Sequence, residues 1–223
     1  MCGRFTQAMS WRRLHSLYQM PRQALLNLEP RYNGAPTQDF ATCRLDAQGE
    51  RVLTKLRWGL VPAWAPDLKI GARMINARAE TVHLKPAFRA AFRRRRCIIP
   101  ADGWFEWQAE EDGKQPWYIT AASAEPVSLA GLWERWEKGA EPVESFTILT
   151  TAAAPSLTDI HHRQPSILDP GDFDEWLAPD TQTERLLALA RRAYEGPYKP
   201  WRVSKRVNSS RNEGPDLVQP LDG

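Results

Sequence analysis

Nowhere among the 223 residues is there an apolar run approaching the roughly 20 positions that a membrane helix needs. The N-terminus, Met-Cys-Gly-Arg-Phe, also lacks the apolar core of a signal peptide, so an intracellular, cytoplasmic protein without a membrane partner is expected. Cysteine is scarce. Cys2, Cys43 and Cys97 form an odd, scattered set with no CxxC pair, which argues against a disulfide framework and against a structural zinc site. With no metal set and no cofactor fingerprint, neither a metal nor a cofactor is expected. Internal repeats, low-complexity blocks and Gly/Ser linkers are absent too, so one domain over 1–223 is the simplest organisation. Charge of one sign is in short supply: 30 Lys plus Arg against 27 Asp plus Glu leaves +3. Hydrophobic residues at 42% and charged residues at 26% are ordinary globular usage, which excludes a disordered chain.

What the chain has in excess is Trp, ten of them, and Pro, 18. Large aromatic surfaces and many turns favour a strand-rich fold over a helical bundle. Four helices are expected. The first follows Ser10 as N-cap and carries Trp11, Leu14, Leu17 and Tyr18 until Pro21. A second runs from Pro86 through Phe88, Ala91 and Phe92 to the cations Arg93 to Arg96. A short third opens at Asp169-Pro170 and buries Phe173, Trp176 and Leu177. The last begins with the capping box Thr181 to Glu184, lays Leu186, Leu189, Ala190 and Ala193 on one face, and closes at Gly196-Pro197. Between the second and third helices come strands at 96–99, 103–108, 116–120, 127–133 and 146–151, with Asp112-Gly113 as a hairpin turn. Consecutive strands with helices toward the ends indicate α+β rather than βαβ winding. From Pro197 onward a polar segment either wraps the domain or stays loose.

Cys2 is the most suggestive residue for chemistry. A small side chain after Met1 is the setting in which initiator methionine is removed, leaving an N-terminal cysteine with two nucleophiles on adjacent carbons. Its α-amine and thiol have ordinary pKa values near 8 and 8.5, so both are partly active at neutral pH. With an aldehyde the amine forms a Schiff base, and the thiol then closes a five-membered thiazolidine. An internal cysteine cannot do this; the bland alternative for Cys2 is a small buried hydrophobe at the start of a strand. Met-Cys-Gly equally opens the amidotransferases whose N-terminal cysteine attacks amides, so an amidohydrolase or peptidase is the alternative.

Glu106, in Gly103-Trp-Phe-Glu-Trp, falls on the strand face of Trp104 and Gln108, with Phe105 and Trp107 opposite. Partial desolvation would raise its pKa toward neutrality and suit it to proton transfer; solvent exposure would leave it bland. His161 and His162 sit in a loop and are expected to point in different directions, so that at most one lines a pocket. Asn76 and Arg78 offer a donor amide and a phosphate-binding fork from one extended segment, or a turn residue and an ion pair with Glu80. The run Arg93 to Arg96 reads alone as a solvated helix end. With Arg4, Arg31, Arg78 and Arg163, and with Trp58 and Trp64 for base stacking, it suggests single-stranded nucleic acid.

Six motifs in order then point to one family: Met-Cys-Gly-Arg-Phe5, Arg31-Tyr-Asn-Gly-Ala-Pro36, Trp58-Gly-Leu-Val-Pro-Ala-Trp64, Ile75-Asn-Ala-Arg-Ala-Glu-Thr81, Pro100-Ala-Asp-Gly-Trp-Phe-Glu-Trp107 and Ile160-His-His-Arg-Gln-Pro165. Together with Val203 to Asn208 they resemble the SRAP family, the SOS-response-associated peptidases understood as abasic-site processing proteins. The resemblance implies a compact α+β domain with a barrel-like core that binds single-stranded DNA and crosslinks to an abasic deoxyribose through Cys2, shielding the lesion. It implies that Asn76 positions the N-terminal group and sugar, Glu106 handles protons, and His161 assists Schiff-base chemistry and reversal. Arg4, Arg78 and Arg163 match phosphate-holding positions, and Trp64 and Pro36 shape the DNA end of the pocket. A weak lyase activity and autoproteolytic removal of Met1 are further implications, as is association with the nucleoid when DNA is bound; one compact domain without coiled-coil heptads gives no reason to expect more than a monomer. His162 and Gln164 depart from the family loop, which usually reads His, Asp or Asn, then Arg-Met-Pro.

Overall fold

The computed structural model describes residues 2–21, 26–192 and 196–221. Thirteen strands, β1 to β13, and four α-helices, α1 to α4, occur among them, joined by short 3-10 turns. A closed ring of five strands forms the centre: β3 (Asp39–Leu45), β4 (Arg51–Trp58), β6 (Arg96–Ala101), β9 (Val127–Trp136) and β10 (Val143–Ala152). Neighbours pair in the order β10, β4, β3, β6, β9, and β9 returns to β10 over Val143–Ile148, which closes the barrel. Only the β4–β10 seam is parallel, with Phe146 opposite Trp58. The ring has no free edge along these strands. β12 (Ile167–Leu168) extends it beside β9, and β5 (Asn76–Arg78) and β11 (Arg163–Pro165) both add to the far end of β10.

A second, open sheet packs against the barrel in the order β13 (Tyr198–Arg202), β8 (Gly113–Ala121), β7 (Gly103–Glu110), β1 (Arg4–Gln7), β2 (Arg31–Gly34). Alternation divides the core. Cys97 and Ile99 of β6, with Phe40, Trp58, Phe146 and Ile148, meet Phe5, Trp104 and Ile119 of the second sheet. Ile98, with Cys43, Leu53 and Leu132, faces the helices through Leu14, Phe92, Trp176 and Leu186. All six residues of β6 are buried. A strand covered on both faces reads as a continuous apolar run, which is how 97–99 appears in sequence.

The helices follow the sequence expectations in place more than in length. α1 (Trp11–Leu17) is capped by Ser10, whose side chain accepts from the Arg13 N–H at 3.3 Å. α2 covers only Arg89–Arg94, not Pro86 to Arg96. The shortening has a physical cause. Arg96 is drawn into β6, where its buried guanidinium donates to the carbonyls of Phe92, Trp176 and Ala178 and so satisfies helix ends. α3 (Phe173–Leu177) buries Phe173, Trp176 and Leu177 as expected, after a turn of 3-10 helix from Pro170. α4 (Thr183–Arg191) lacks the anticipated capping box. Its N-cap is Gln182, and the Thr181 hydroxyl donates instead to the Glu175 carbonyl at 2.6 Å. Leu186, Leu189 and Ala190 are buried, whereas Ala193 lies outside the described residues. The helix ends at Arg191, five residues before Gly196. The described C-terminal segment, 196–221, wraps the domain. β13 pairs with β8, and Val203 and Val207 cover Phe105 and Tyr118 on the outer face of the second sheet. No described helix is long and apolar enough to cross a membrane.

Candidate active site

The two sheets bring the predicted residues together from opposite directions. β1 pairs antiparallel with β7, Arg4 opposite Phe105, which runs the start of the chain alongside Glu106. β5 pairs with β10 so that Asn76 lies opposite Ile148, and β11 pairs with the same strand so that Arg163 lies opposite Ala152. Asn76 and the loop carrying His161 are therefore held by the end of one barrel strand. Gln108 links the two systems. Two residues beyond Glu106 on β7, it donates to the Asp159 carbonyl at 2.9 Å and accepts from Trp117 Nε1 at 3.0 Å, fixing the loop before His161.

Cys2 is fully buried, and Asn76 Nδ2 donates to its carbonyl at 2.8 Å. The three described thiols are all free. Burial first, and then the charge of Glu106, push the Cys2 thiol far above its ordinary value. A nucleophilic sulfur here must lose its proton to a neighbouring base during reaction. Glu106 answers the choice left open by the sequence: it is 2% exposed, and burial raises its carboxyl to about 7. Such a group is both a competent acid and a competent base at neutral pH. His161 accepts the Arg163 N–H at Nδ1, 2.9 Å away, which leaves the proton of the neutral ring on Nε2. Burial, foremost, lowers its pKa. His161 and His162 do not diverge as expected; their rings stack with centroids 4.4 Å apart. Only His161 of the two lines the described cleft.

That cleft, about 420 Å3, is walled by Glu106, Trp107, Lys114, His161 and Asn208. A second concavity of about 670 Å3 contains Asn76, Arg78, Trp64, Lys85 and Phe88. Trp64 is 53% exposed, a free aromatic face beside two cations. Trp58, expected to stack on bases, is instead core. Its ring lies parallel to Phe146 at 6.3 Å and its indole N–H donates to the Ile75 carbonyl. Pro36 sits in the turn after β2 and lines neither concavity.

Three arginines were expected at phosphates, and their environments differ. Arg78 is exposed, and its side chain makes no hydrogen bond or ion pair among the described residues. Arg163 forms a two-pronged pair with Glu80 at 2.5 and 3.0 Å and donates to the Thr150 carbonyl at 2.6 Å. The anticipated Glu80 partner, Arg78, is thus displaced by Arg163. Arg4 donates to Asn33 Oδ1 at 2.7 Å and to the carbonyls of Val207 and Asn208. Arg31 lies beside Glu29, 3.8 Å away. In the arginine run, Arg95 pairs with Glu134 and Arg96 is internal, so the run is not one anion-binding stripe. Gln164, the departure from the family loop, is buried and holds the Ala154 N–H and the Tyr198 hydroxyl. Among described residues no cluster of three His, Cys, Asp or Glu could hold a metal.

The roles of Asn33, Gln108, Lys114 and Asn208 were not foreseen. Asn33 stands within the Arg31–Pro36 motif and Asn208 within the Val203–Asn208 segment, so each was marked without its contacts being readable. The decisive comparison is with protein families: the description SOS response associated peptidase (SRAP) matches residues 1–210. The chain belongs to the SRAP family. Abasic site processing protein YoqW of Bacillus subtilis is 40% identical over 98% of this chain and 99% of its own. Abasic site processing protein YedK of Escherichia coli is 34% identical over 99% and 100%. A crystal structure of a Bacteroides thetaiotaomicron protein superposes with a TM-score of 0.84 at 26% identity, covering 99% of this chain and 100% of that one. The SRAP fold is thus common to both structures.

Proposed function

We propose that this SRAP protein processes abasic sites by capturing the ring-opened sugar in single-stranded DNA as a thiazolidine on Cys2. The observation that carries the reading is the convergence on Cys2: Asn76 binds its carbonyl, and Glu106, with its carboxyl raised to about 7, acts electrostatically on its thiol. The names of YoqW and YedK support the substrate class. Met1, which lies outside the described residues, must be removed to free the amine.

The chemistry balances without a cofactor. The Cys2 amine adds to the aldehyde carbon and gives a carbinolamine. Neutral Glu106 protonates its hydroxyl, one water leaves, and an iminium faces a carboxylate. The thiol gives its proton to that carboxylate while sulfur bonds to the iminium carbon, closing the ring and restoring neutral Glu106. His161, protonated at Nε2, serves the sugar oxygen as a donor and assists the reverse steps. Trp64 and Arg78 hold the flanking strand by stacking and charge. Elimination of the 3′ phosphate from the iminium, a lyase reaction, competes until sulfur closes the ring.

The test is denaturing electrophoresis of protein shown by intact mass to begin at Cys2, mixed with a single-stranded oligonucleotide carrying one abasic site. A denaturation-resistant band that Cys2→Ala abolishes is expected, with excess strand cleavage in Cys2→Ser. A band that survives Cys2→Ala overturns the reading. No band despite a free Cys2 also overturns it and redirects attention to amide substrates.

A further inference from the structure

Lys114 lines the same cleft as Glu106 and has no part in the proposed reaction. It opens β8 immediately after the hairpin turn, where Gly113 adopts φ +129° and the register sets Lys114 opposite Ala109. Its side chain lines the same cleft as Glu106 and His161, and no hydrogen bond or ion pair engages it among the described residues. Its charge is close enough to contribute to the lowered basicity of His161. The rest of that cleft is stiff. Trp107 donates its indole N–H to Asn208 Oδ1 at 2.7 Å, Asn208 belongs to the segment tied down by Arg4, and the His161 loop is bound to Gln108.

Two other cations suited to a DNA backbone, Arg78 and Lys85, belong to the Trp64 concavity. The two concavities share no lining residue, and buried Cys2 adjoins a wall of each: Asn76 of one donates to its carbonyl, and Glu106 of the other acts electrostatically on its thiol. A strand with its abasic sugar at Cys2 leaves the site in two directions. One passes Trp64 and Arg78, where stacking and charge are available. The other passes Trp107 and Asn208, where Lys114 is the cation lining the wall.

We infer that Lys114 is a phosphate-binding residue for the lesion's second flank, so that the protein grips single-stranded DNA on both sides of the abasic site. The inference rests on the proposed abasic-site reading and adds a residue and a footprint to it. A lysine suits this position because it offers a mobile point charge to a phosphate of variable geometry, unlike the fixed arginine fork. One phosphate neutralised on a single strand contributes about 0.7 to the slope of log affinity against log salt.

The experiment compares mature wild-type protein with Lys114→Ala and Lys114→Arg. The probes are oligonucleotides with a central abasic site and the same oligonucleotides shortened on one side at a time. Wild-type crosslinking at sub-saturating DNA should slow several-fold when either flank is removed. Lys114→Ala should be several-fold slower than wild type on the full oligonucleotide, lose its dependence on one flank only, and show a salt slope lower by about 0.7. Lys114→Arg should restore both. Equal rates and slopes for wild type and Lys114→Ala, or equal sensitivity of Lys114→Ala to both truncations, would overturn the inference while leaving abasic-site capture intact. Absence of any wild-type crosslink would overturn the reading beneath it instead.

Discussion

Glu106 joins two properties that usually exclude each other, nearly complete burial and, in the proposed reaction, a role in proton traffic. The carboxyl is neutral in the folded state up to about pH 7, well above its ordinary value near 4.5, because burial penalises the charge. The sign of the pH dependence follows. Between about 4.5 and 7 the folded protein holds a proton that the unfolded chain has released, so stability declines as pH rises through this window and levels off above 7. Glu106→Gln should remove that decline, making the variant relatively more stable than wild type at pH 8, as read from thermal unfolding at both ends of the window. The same substitution leaves a carboxamide that can neither give nor take the proton required at the iminium. Crosslinking should slow by about 100-fold or more, and the inflection near pH 7 in the wild-type rate profile should vanish. An unchanged profile would assign the proton transfers to another group.

At the level of elements, β7 bears more of the site than any other strand, and its first residue shows how tightly it is built in. A methyl group on Gly103 would lie 2.6 Å from the Ile119 carbonyl oxygen and 2.6 Å from the Tyr118 ring. The carbonyl belongs to β8 and cannot swing away. Gly103→Ala should therefore cost about 1–3 kcal/mol and slow crosslinking with the loss of register at Glu106; an unaltered melting temperature would refute this account. β7 was also the most legible element: the alternation of Trp104, Glu106 and Gln108 against Phe105 and Trp107 fixed which side chains share a face. What alternation could not say is that both faces are covered, since the outer one is buried by Val203 and Val207 from a segment a hundred residues away. Long-range partners likewise defeated the helix boundaries. Arg96 is a helix former by propensity, yet three carbonyls from α2 and the end of α3 hold it in β6. Of the candidate site, Cys2, Asn76, Glu106 and His161 could be singled out in the sequence because their chemistry is particular. Lys114 and Gln108 were not, because a lysine after a turn and a glutamine on a strand acquire meaning only from what stands opposite.

Across the whole molecule the C-terminal segment closes the structure onto the strand that presents Cys2. Asn33, fully buried in β2, donates from one amide to the carbonyls of Val207, Ser209 and Asn212 at 3.3, 3.0 and 2.9 Å, and accepts from Arg4 at 2.7 Å. Arg4 binds the Val207 and Asn208 carbonyls as well, and Glu213 accepts the backbone N–H groups of Tyr32 and Asn33. One side chain thus joins β1, β2 and the segment that walls the Glu106 cleft. In Asn33→Ala these carbonyls lose their donor inside the protein, a loss of about 3 kcal/mol. At about 3 °C per kcal/mol for a chain of this size, the melting temperature should fall by roughly 9 °C. Asn33→Asp preserves the shape and the acceptor for Arg4 but donates nothing, so it should destabilise nearly as much. Both variants should also crosslink more slowly, since Asn208 and, through it, Trp107 lose their support. If Asn33→Asp were as stable as wild type, the donor bonds would not be what holds the segment, and the packing of Val203 and Val207 on Phe105 would have to suffice alone.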